Sequence, residues 1–330
     1  MRKFYKILGV LVLVFIAACC FFYFQFQPSQ TTVWGINFSQ IRARELGLNA
    51  RELFLDMLTD LKPKEIRMAA YWTEIEPQEN VYNFTELDDL LKQAEIYHTD
   101  VILAVGNKLP RWPECYKPDW AKQLDPAQEQ TAQLSMVKTV VEHYKNFPAI
   151  TVWQVENEGL FGFGLDCPKI DKDLFRQEIS LVKSLDTRPV LVTDSGEIGR
   201  WLPTASLGAD WFGSTMYRVV ENNLTGYIKY PLPYFFFRIK AGIINTFARP
   251  QKIIGVELQA EPWLSGSVQG TDLDTQKAMM NPKIFQQNVA FAQKVGFSEN
   301  YLWGVEWWYW MAKKQNDWGM WQSVKDLLAK

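Results

Sequence analysis

The feature that most constrains this chain is a regular alternation of short apolar runs with amphipathic segments. Apolar runs bounded by turn residues are typical of buried parallel strands. Eight such runs occur, at residues 33–38, 65–71, 101–105, 150–155, 190–193, 211–216, 252–258 and 301–307. Between them apolar residues recur at helical spacing, as in the series Leu87, Leu90, Leu91 and Ala94. Alternating strands and helices predict an α/β fold with right-handed crossovers, and eight units predict a (β/α)8 TIM barrel.

A doubly wound open sheet is the alternative fold for this pattern. Such a sheet usually has a glycine-rich phosphate loop after its first strand. The residues at that position, 35–39, do not form one. The barrel is therefore the preferred prediction.

The N-terminal segment differs in character from the rest of the chain. After Arg2, Lys3 and Lys6, residues 7–24 form an uncharged run of 18 residues, which is roughly 27 Å of helix and enough to cross a lipid bilayer. We therefore predict a transmembrane or signal-anchor segment at 1–26, a linker at 27–32 and the barrel at 33–330. The basic flank favours a cytoplasmic N-terminus and an extracytoplasmic barrel.

Two other readings of this segment remain open. Residues 16–19 resemble a lipoprotein cleavage site, which would make Cys19 the lipidated N-terminus. A cleaved secretion signal is the other possibility, although its apolar region is normally shorter. All three readings place the barrel outside the cytoplasm.

Composition excludes some classes of partner. The net charge is −2 and no basic stripe is present, so we expect no nucleic-acid partner and no polyanionic substrate. With only His98 and His143 and no close Cys/His spacing, we expect no metal site. Cys115 and Cys167 could pair in an oxidising compartment. The 14 Trp residues suit the apolar faces of sugar rings, although packing in the core is an equally ordinary use of them.

One segment interrupts the alternation of strands and helices. Residues 227–247, between the sixth and seventh strands, are unusually apolar. They are consistent with an outer helix packed on the barrel, or with a surface that rests on the membrane beside the anchor.

Carboxylates follow two of the predicted strands. The fourth strand leads into Glu156 and Glu158, and the seventh contains Glu257 with Glu261 close behind. Functional groups of barrels lie at the carboxyl ends of the strands, and a carboxylate there is costly to desolvate unless it is paired or used. Strands four and seven face each other across the barrel mouth, so their carboxylates can converge.

Two converging carboxyls are the requirement for glycosidic cleavage with retention, at a separation of about 5–5.5 Å. We predict Glu158 as the general acid/base and Glu257 as the nucleophile, because Glu257 directly ends its apolar run. Glu156 and Glu261 remain alternatives for the two roles, and Glu261 is otherwise expected to line a subsite.

The Asn157–Glu158 pair after strand four and the glutamate that ends strand seven resemble the signature of glycoside hydrolase clan A, over nearly the whole chain after the linker. The resemblance implies a retaining hydrolase of a β-linked oligosaccharide, polysaccharide or glycoside, without metal or organic cofactor. It also favours Glu158 over Glu156, because the order Asn–Glu matches. The predicted substrate-binding residues are Arg67, Trp72, Asn107, Asn157, Tyr217, Glu261 and Trp307.

Several of these residues have specific roles implied by the resemblance. Arg67 is expected beside the nucleophile, Tyr217 is expected to bond it, and Trp307 is expected to form a sugar platform. Asn157 is placed to bond the 2-hydroxyl of the sugar.

A transglycosylase would use every one of the same residues. A catalytically silent carbohydrate-binding barrel is the alternative from another class, although binding alone does not require a facing acid and nucleophile. No motif fixes the sugar.

Overall fold

The computed structural model describes residues 2–165, 167, 169–222, 226–264 and 266–330. Met1 of the predicted N-terminal segment lies outside these residues.

Eight parallel strands close into a barrel, and each is paired with the next one in the chain and the last with the first. These strands are β1 Val33–Asn37, β2 Glu65–Ala69, β3 Asp100–Val105, β4 Ile150–Val155, β5 Val190–Asp194, β6 Trp211–Met216, β9 Lys252–Gln259 and β10 Glu299–Trp303. Between β6 and β9 an antiparallel hairpin pairs β7 Val219–Asn222 with β8 Gly226–Lys229. The predicted TIM barrel is confirmed, and the open-sheet alternative is wrong.

One long helix precedes the barrel, and the other helices follow its strands. The helices are α1 Arg2–Gln25, α2 Gln40–Glu45, α3 Ala50–Asp56, α4 Trp72–Ile75, α5 Thr85–Ile96, α6 Pro126–Tyr144, α7 Lys172–Leu185, α8 Trp201–Ala205, α9 Tyr234–Phe247, α10 Leu273–Met279, α11 Pro282–Val295, α12 Val305–Gln315 and α13 Gly319–Leu328. Local sequence explains their limits. Helix α6 begins at a capping box of Asp125 and Gln128 with Pro126 in its first turn, and α11 ends at Gly296, whose φ of 85° few other residues adopt.

The period-two alternation of the strands builds two apolar layers. A small cluster that includes Ile102, Val152, Leu191 and Ile254 fills part of the barrel interior. The neighbouring residues on the strands face outward and join the large core between barrel and helices. The strands are thereby fixed in register, and the residues just beyond their carboxyl ends form a rigid rim.

The eighth strand differs from its prediction. It was expected at 301–307 but ends at Trp303, and helix α12 begins at Val305. Gly304 makes the change of direction with a φ of 139°. Trp307 is therefore a helical residue and not a strand-end residue.

The apolar segment 227–247 forms β8 and helix α9. Phe237, Ala241 and Ile244 of α9 are buried in the core, so the expectation of an outer helix packed on the barrel is confirmed. The N-terminal run is one continuous helix, α1, whose residues Lys3–Gln25 are long and apolar enough to cross a membrane.

Candidate active site

Glu257 lies on β9 and is held at both carboxylate oxygens. Arg67 Nη1 from β2 lies 2.9 Å from Oε1, and the Tyr217 hydroxyl donates to Oε2 at 2.9 Å. Both partners were predicted for this position, and the structure brings them to it. Glu257 itself is buried, so its orientation is fixed by these contacts.

Arg67 is the hub of the barrel mouth. Its guanidinium also donates to Asn37 Oδ1 on β1 at 2.8 Å, to Gln154 Oε1 on β4 at 2.7 Å and to Asn157 Oδ1 at 2.8 Å. A buried charge of this kind is tolerated only when it is paired and hydrogen-bonded. Residues of three strands or their ends, β1, β4 and β9, are thus tied to one side chain of β2.

Glu158 follows β4 and is also buried. Its backbone has a φ of 49° and donates its N–H to Thr193 Oγ1 on β5 at 2.9 Å. Left-handed backbone at a residue other than glycine costs of order 1 kcal/mol or more and is concentrated at functional sites. Burial raises the pKa of Glu158 well above its ordinary value, the nearby Glu257 carboxylate raises it further, and Lys108 opposes both.

Glu156, the alternative to Glu158, has different hydrogen-bond partners. Its oxygens accept from the backbone N–H groups of Asn107 and Lys108, at 2.9 and 2.6 Å, and from Gln133 Nε2 at 2.9 Å. Gln133 also bonds the buried Glu178 at 2.6 Å. Burial raises the pKa of Glu156 to about 7. Glu156 therefore fastens the loop after β3 to helices α6 and α7, and Asn107 meets it through its main chain.

Glu261, the alternative to Glu257, belongs to a second cluster. It pairs with Arg111, which also pairs with Glu306 and stacks 4.0 Å from the centre of the Trp303 ring. Glu306 in turn accepts from Ser39 N at 2.6 Å. Arg67 and Tyr217 thus contact Glu257, whereas Glu261 is paired with Arg111.

Two predicted substrate-binding tryptophans are corrected by the structure. Trp72 and Trp307 are almost fully buried in the apolar core. Their indole N–H groups are bonded to Glu76 at 2.8 Å and to Gln276 at 2.7 Å. Both rings are thus enclosed, and neither is exposed at the barrel mouth.

A row of aromatic rings lies near Tyr217 at the rim of the barrel mouth. Trp263 is partly exposed and meets Tyr217 edge to face at 5.2 Å between ring centres. Phe163 lies 6.1 Å from Trp263, and the exposed Trp112 lies 6.1 Å from Phe163. The row leads from the partner of Glu257 outward to solvent.

Glu114 is a further carboxyl that sequence reasoning did not single out. It is buried, accepts from Asn157 Nδ2 at 3.3 Å, and burial raises its pKa to about 8. Its neighbour Cys115 forms a disulfide with Cys167, with Cα atoms 5.3 Å apart, so the suggested pairing is present. The disulfide ties together the loops that follow β3 and β4, and the only signal for Glu114 in the sequence is its place beside Cys115.

Comparisons with known proteins agree with this barrel. Residues 55–133 match the model of a β-galactosidase family, Glyco_hydro_42. The chain is 22% identical over 206 residues to β-galactosidase BgaA of Clostridium cellulovorans, an alignment that covers 53% of this chain and 30% of that protein. The chain thus spans less than a third of the length of that curated relative.

Solved structures are similar across most of the chain. Xylanase 10B of Thermotoga petrophila in complex with xylobiose superposes with a TM-score of 0.57 and 17% identity, covering 90% of this chain and 93% of that one. Endo-glycoceramidase II of Rhodococcus sp., as a lactosyl-enzyme intermediate, superposes with a TM-score of 0.51 and 13% identity, covering 82% and 73%. The resemblance to clan A barrels is confirmed by this set of matches, and a glycosidase is the function class they support.

Proposed function

We propose that this chain is a retaining glycoside hydrolase of β-linked glycans or glycosides, with Glu158 as general acid/base and Glu257 as nucleophile. The observation that carries the proposal is the contrast between the two carboxyls. The Glu257 carboxylate accepts from the Arg67 guanidinium and from the Tyr217 hydroxyl, which fix it in place. Glu158 is buried, and its pKa is raised beside the charge of Glu257. One group is thus equipped to attack and the other to donate a proton.

The reaction proceeds by double displacement. Glu257 attacks the anomeric carbon while Glu158 gives its proton to the departing glycosidic oxygen, and a covalent glycosyl ester forms. The negative charge of Glu257 is lost in the ester, which lowers the cost of a negative charge on Glu158. Glu158 then takes a proton from water, the water oxygen attacks the anomeric carbon, and the ester bond breaks to restore Glu257.

Asn157 and the aromatic row supply the contacts to substrate. Asn157 is fixed by Arg67 and by the Thr193 hydroxyl, 3.1 Å from its Oδ1, and would meet the sugar 2-hydroxyl. Trp263 offers a partly exposed ring beside Tyr217 on which a sugar can stack. The lactosyl-enzyme intermediate of endo-glycoceramidase II, which has a similar barrel, supports a glycosyl-enzyme step in this proposal. The β-galactosidase match makes an aryl β-galactoside the first substrate to test.

The enzyme is proposed to act outside the cytoplasm, tethered by residues 7–24 in a bilayer. The continuous helix α1 supports this tether. The Cys115–Cys167 disulfide supports an oxidising compartment.

The two carboxyl roles can be tested with azide and an aryl β-galactoside. Glu158→Ala and Glu257→Gly are expected to lower kcat by roughly 10²- to 10⁴-fold or more. Azide is expected to rescue both variants, giving the β-glycosyl azide with Glu158→Ala and the α-glycosyl azide with Glu257→Gly. Glu261→Gly should not form the α-azide, and Glu74→Gln, a change in the exposed pair with Arg44, should leave kcat unchanged.

Proton NMR of the first-formed product completes the test. Retention of the β-anomer is expected, and an α-anomer would contradict double displacement. Equal turnover by the parent and both glutamate variants would contradict the assignment. Tight sugar binding without turnover on a wide glycoside panel would favour the silent binding barrel.

A further inference from the structure

Helix α9 presents three different sides to its surroundings. Phe237, Ala241 and Ile244 face the barrel core, and Gly242 with Asn245 lie on the neighbouring side, toward helix α1. At about 100° per residue, the remaining side is formed by positions spaced four apart. These residues are Phe235, Ile239, Ile243 and Phe247.

Helix α1 packs against α9 through its last turns. The main chain of Phe22 lies so close to Gly242 that a Cβ atom there would be 1.7 Å from the Phe22 carbonyl oxygen. The Phe22 and Phe247 rings are 5.9 Å apart, and Arg238 Nη1 donates to the Tyr23 hydroxyl at 2.8 Å. Small residues permit such close helix crossings. Helix α9 is thereby fixed beside residues that belong to the proposed membrane span.

The third side of α9 has no charge, and the Thr246 hydroxyl that falls on it donates to the Gly242 carbonyl at 2.8 Å. Phe235 is 46% exposed and Phe247 is 63% exposed, while Ile239 and Ile243 are partly exposed. The helix contains no acidic residue, and its two cations are used elsewhere. Arg238 also donates to the Lys294 carbonyl at 2.6 Å, and Lys240 Nζ donates to the carbonyls of Gly196 and Gly199 at 2.6 and 3.1 Å.

The connection between anchor and barrel is short and fastened. Phe26 packs on Phe297 with ring centres 5.7 Å apart, and Ser29 N donates to the Gly296 carbonyl at 2.8 Å. The predicted linker 27–32 therefore begins at the protein surface and does not act as a free tether. Helix α9 and the end of α1 approach the membrane together.

We propose that helix α9 is a second membrane contact, with Phe235, Ile239, Ile243 and Phe247 resting in the lipid interface beside the anchor. This inference rests on the proposed insertion of residues 7–24. An interfacial helix buries its apolar side about 5–10 Å into the boundary between headgroups and acyl chains. Phe22 is two residues from the end of the apolar run, roughly 3 Å along the helix, so the part of α9 beside Phe22 is next to the edge of the proposed span. The barrel is then held in one orientation on the bilayer.

The test uses the full-length chain with Cys19→Ser and Cys20→Ser, reconstituted in vesicles of phosphatidylcholine and phosphatidylglycerol. Single cysteines are introduced as Ile243→Cys or Phe247→Cys and labelled with an environment-sensitive fluorophore. Acyl-chain nitroxide lipids then act as quenchers. Leu13→Cys reports the anchor, and Ile96→Cys, at a 63% exposed isoleucine of α5, reports an apolar surface site far from α9.

Fluorophores at positions 243 and 247 are expected to be quenched almost as strongly as the fluorophore at position 13 in the anchor. The fluorophore at position 96 is expected to show little quenching. If the label at position 13 is quenched while the labels at 243 and 247 are quenched no more than the label at 96, the second membrane contact is refuted and the anchor stands. If 13 is not quenched either, the anchor fails and this inference fails with it. An intermolecular disulfide at 247 without quenching would show that a second copy covers this side, which also overturns the lipid assignment. Retention of the parent melting temperature shows that each variant is folded.

Discussion

Replacing Arg67 tests the electrostatic design of the barrel mouth. The Arg67 side chain is fully buried, and the Glu257 carboxylate 2.9 Å away is nearly so. Arg67→Met keeps much of the side-chain volume but leaves the buried carboxylate without its cation. Removing one partner of a buried pair costs about 3–5 kcal/mol. The acceptors Asn37, Gln154 and Asn157 lose their donor at the same time.

The size of the expected shift follows from the length of the barrel. At about 2.1 cal/mol/K per residue, unfolding of residues 33–330 has an entropy near 0.6 kcal/mol/K. The loss of 3–5 kcal/mol therefore lowers Tm by about 5–8 °C. Circular dichroism melts of the full chain in detergent, at one scan rate, measure this shift.

A double-mutant cycle separates the ion pair from general disruption. Adding Glu257→Gln to Arg67→Met removes the stranded charge, and a coupling of about 2–3 kcal/mol restores roughly 3–5 °C. Arg51→Met is the matched control, because its exposed pair with Asp89 is worth about 1 kcal/mol or less. The reasoning is refuted if Arg67→Met melts with the parent, or if the double variant is no more stable than Arg67→Met.

Three further predictions concern the site. Tyr217→Phe removes a 2.9 Å hydrogen bond to Glu257 and keeps the ring against Trp263. We expect kcat to fall about 10- to 150-fold, because a hydrogen bond to a charged group is lost. Steady-state rates equal to those of the parent would contradict this. Burial raises the pKa of Glu114 from 4.5 to about 8, so the folded state keeps a proton that the unfolded chain releases. The stability that this proton contributes is fully present below about pH 4.5 and is lost as the pH rises through about 8. Urea titrations between these pH values should therefore show a shallower fall of the unfolding free energy for Glu114→Gln than for the parent. Trp263→Ala should raise KM more than it lowers kcat, whereas Trp112→Ala, at the outer end of the row, should have a smaller effect; the reverse order would place the sugar elsewhere.

The barrel could be predicted from sequence because its signal is repeated eight times. Each buried strand must be apolar on both faces, and each helix must show one apolar side. The strands β4 and β6 were predicted at their observed bounds. The eighth strand was not, because its aromatic run continues without a change in composition into helix α12. Only the φ of 139° at Gly304 separates the two, and the sequence does not specify it.

The aromatic contacts and Glu114 were missed for a different reason. Trp72 and Trp307 lie just beyond strands, as binding residues do, yet both are buried in the core between barrel and helices. Trp263 and Glu114 lie in loops without periodicity, so no local pattern marks them. Glu114 reaches Asn157 because a disulfide and loop hydrogen bonds, including Leu109 N to the Glu114 carbonyl at 2.7 Å, fold its loop inward. Long-range contacts of this kind determine where these side chains lie, and local sequence composition does not predict them.

The regular alternation of side chains along β4 does not extend to the two glutamates that follow it. In a regular strand Glu156 and Glu158 would point to the same side, and either could have faced Glu257. Both instead adopt left-handed backbone, with φ of 56° and 49°, so the alternation stops at Val155. Glu156 then meets the N–H groups of the next loop, while Glu158 stays within range of the charge of Glu257. The strain of two such residues is offset by the hydrogen bonds they permit, so a Glu156→Gly change should relieve backbone strain yet detach the β3 loop.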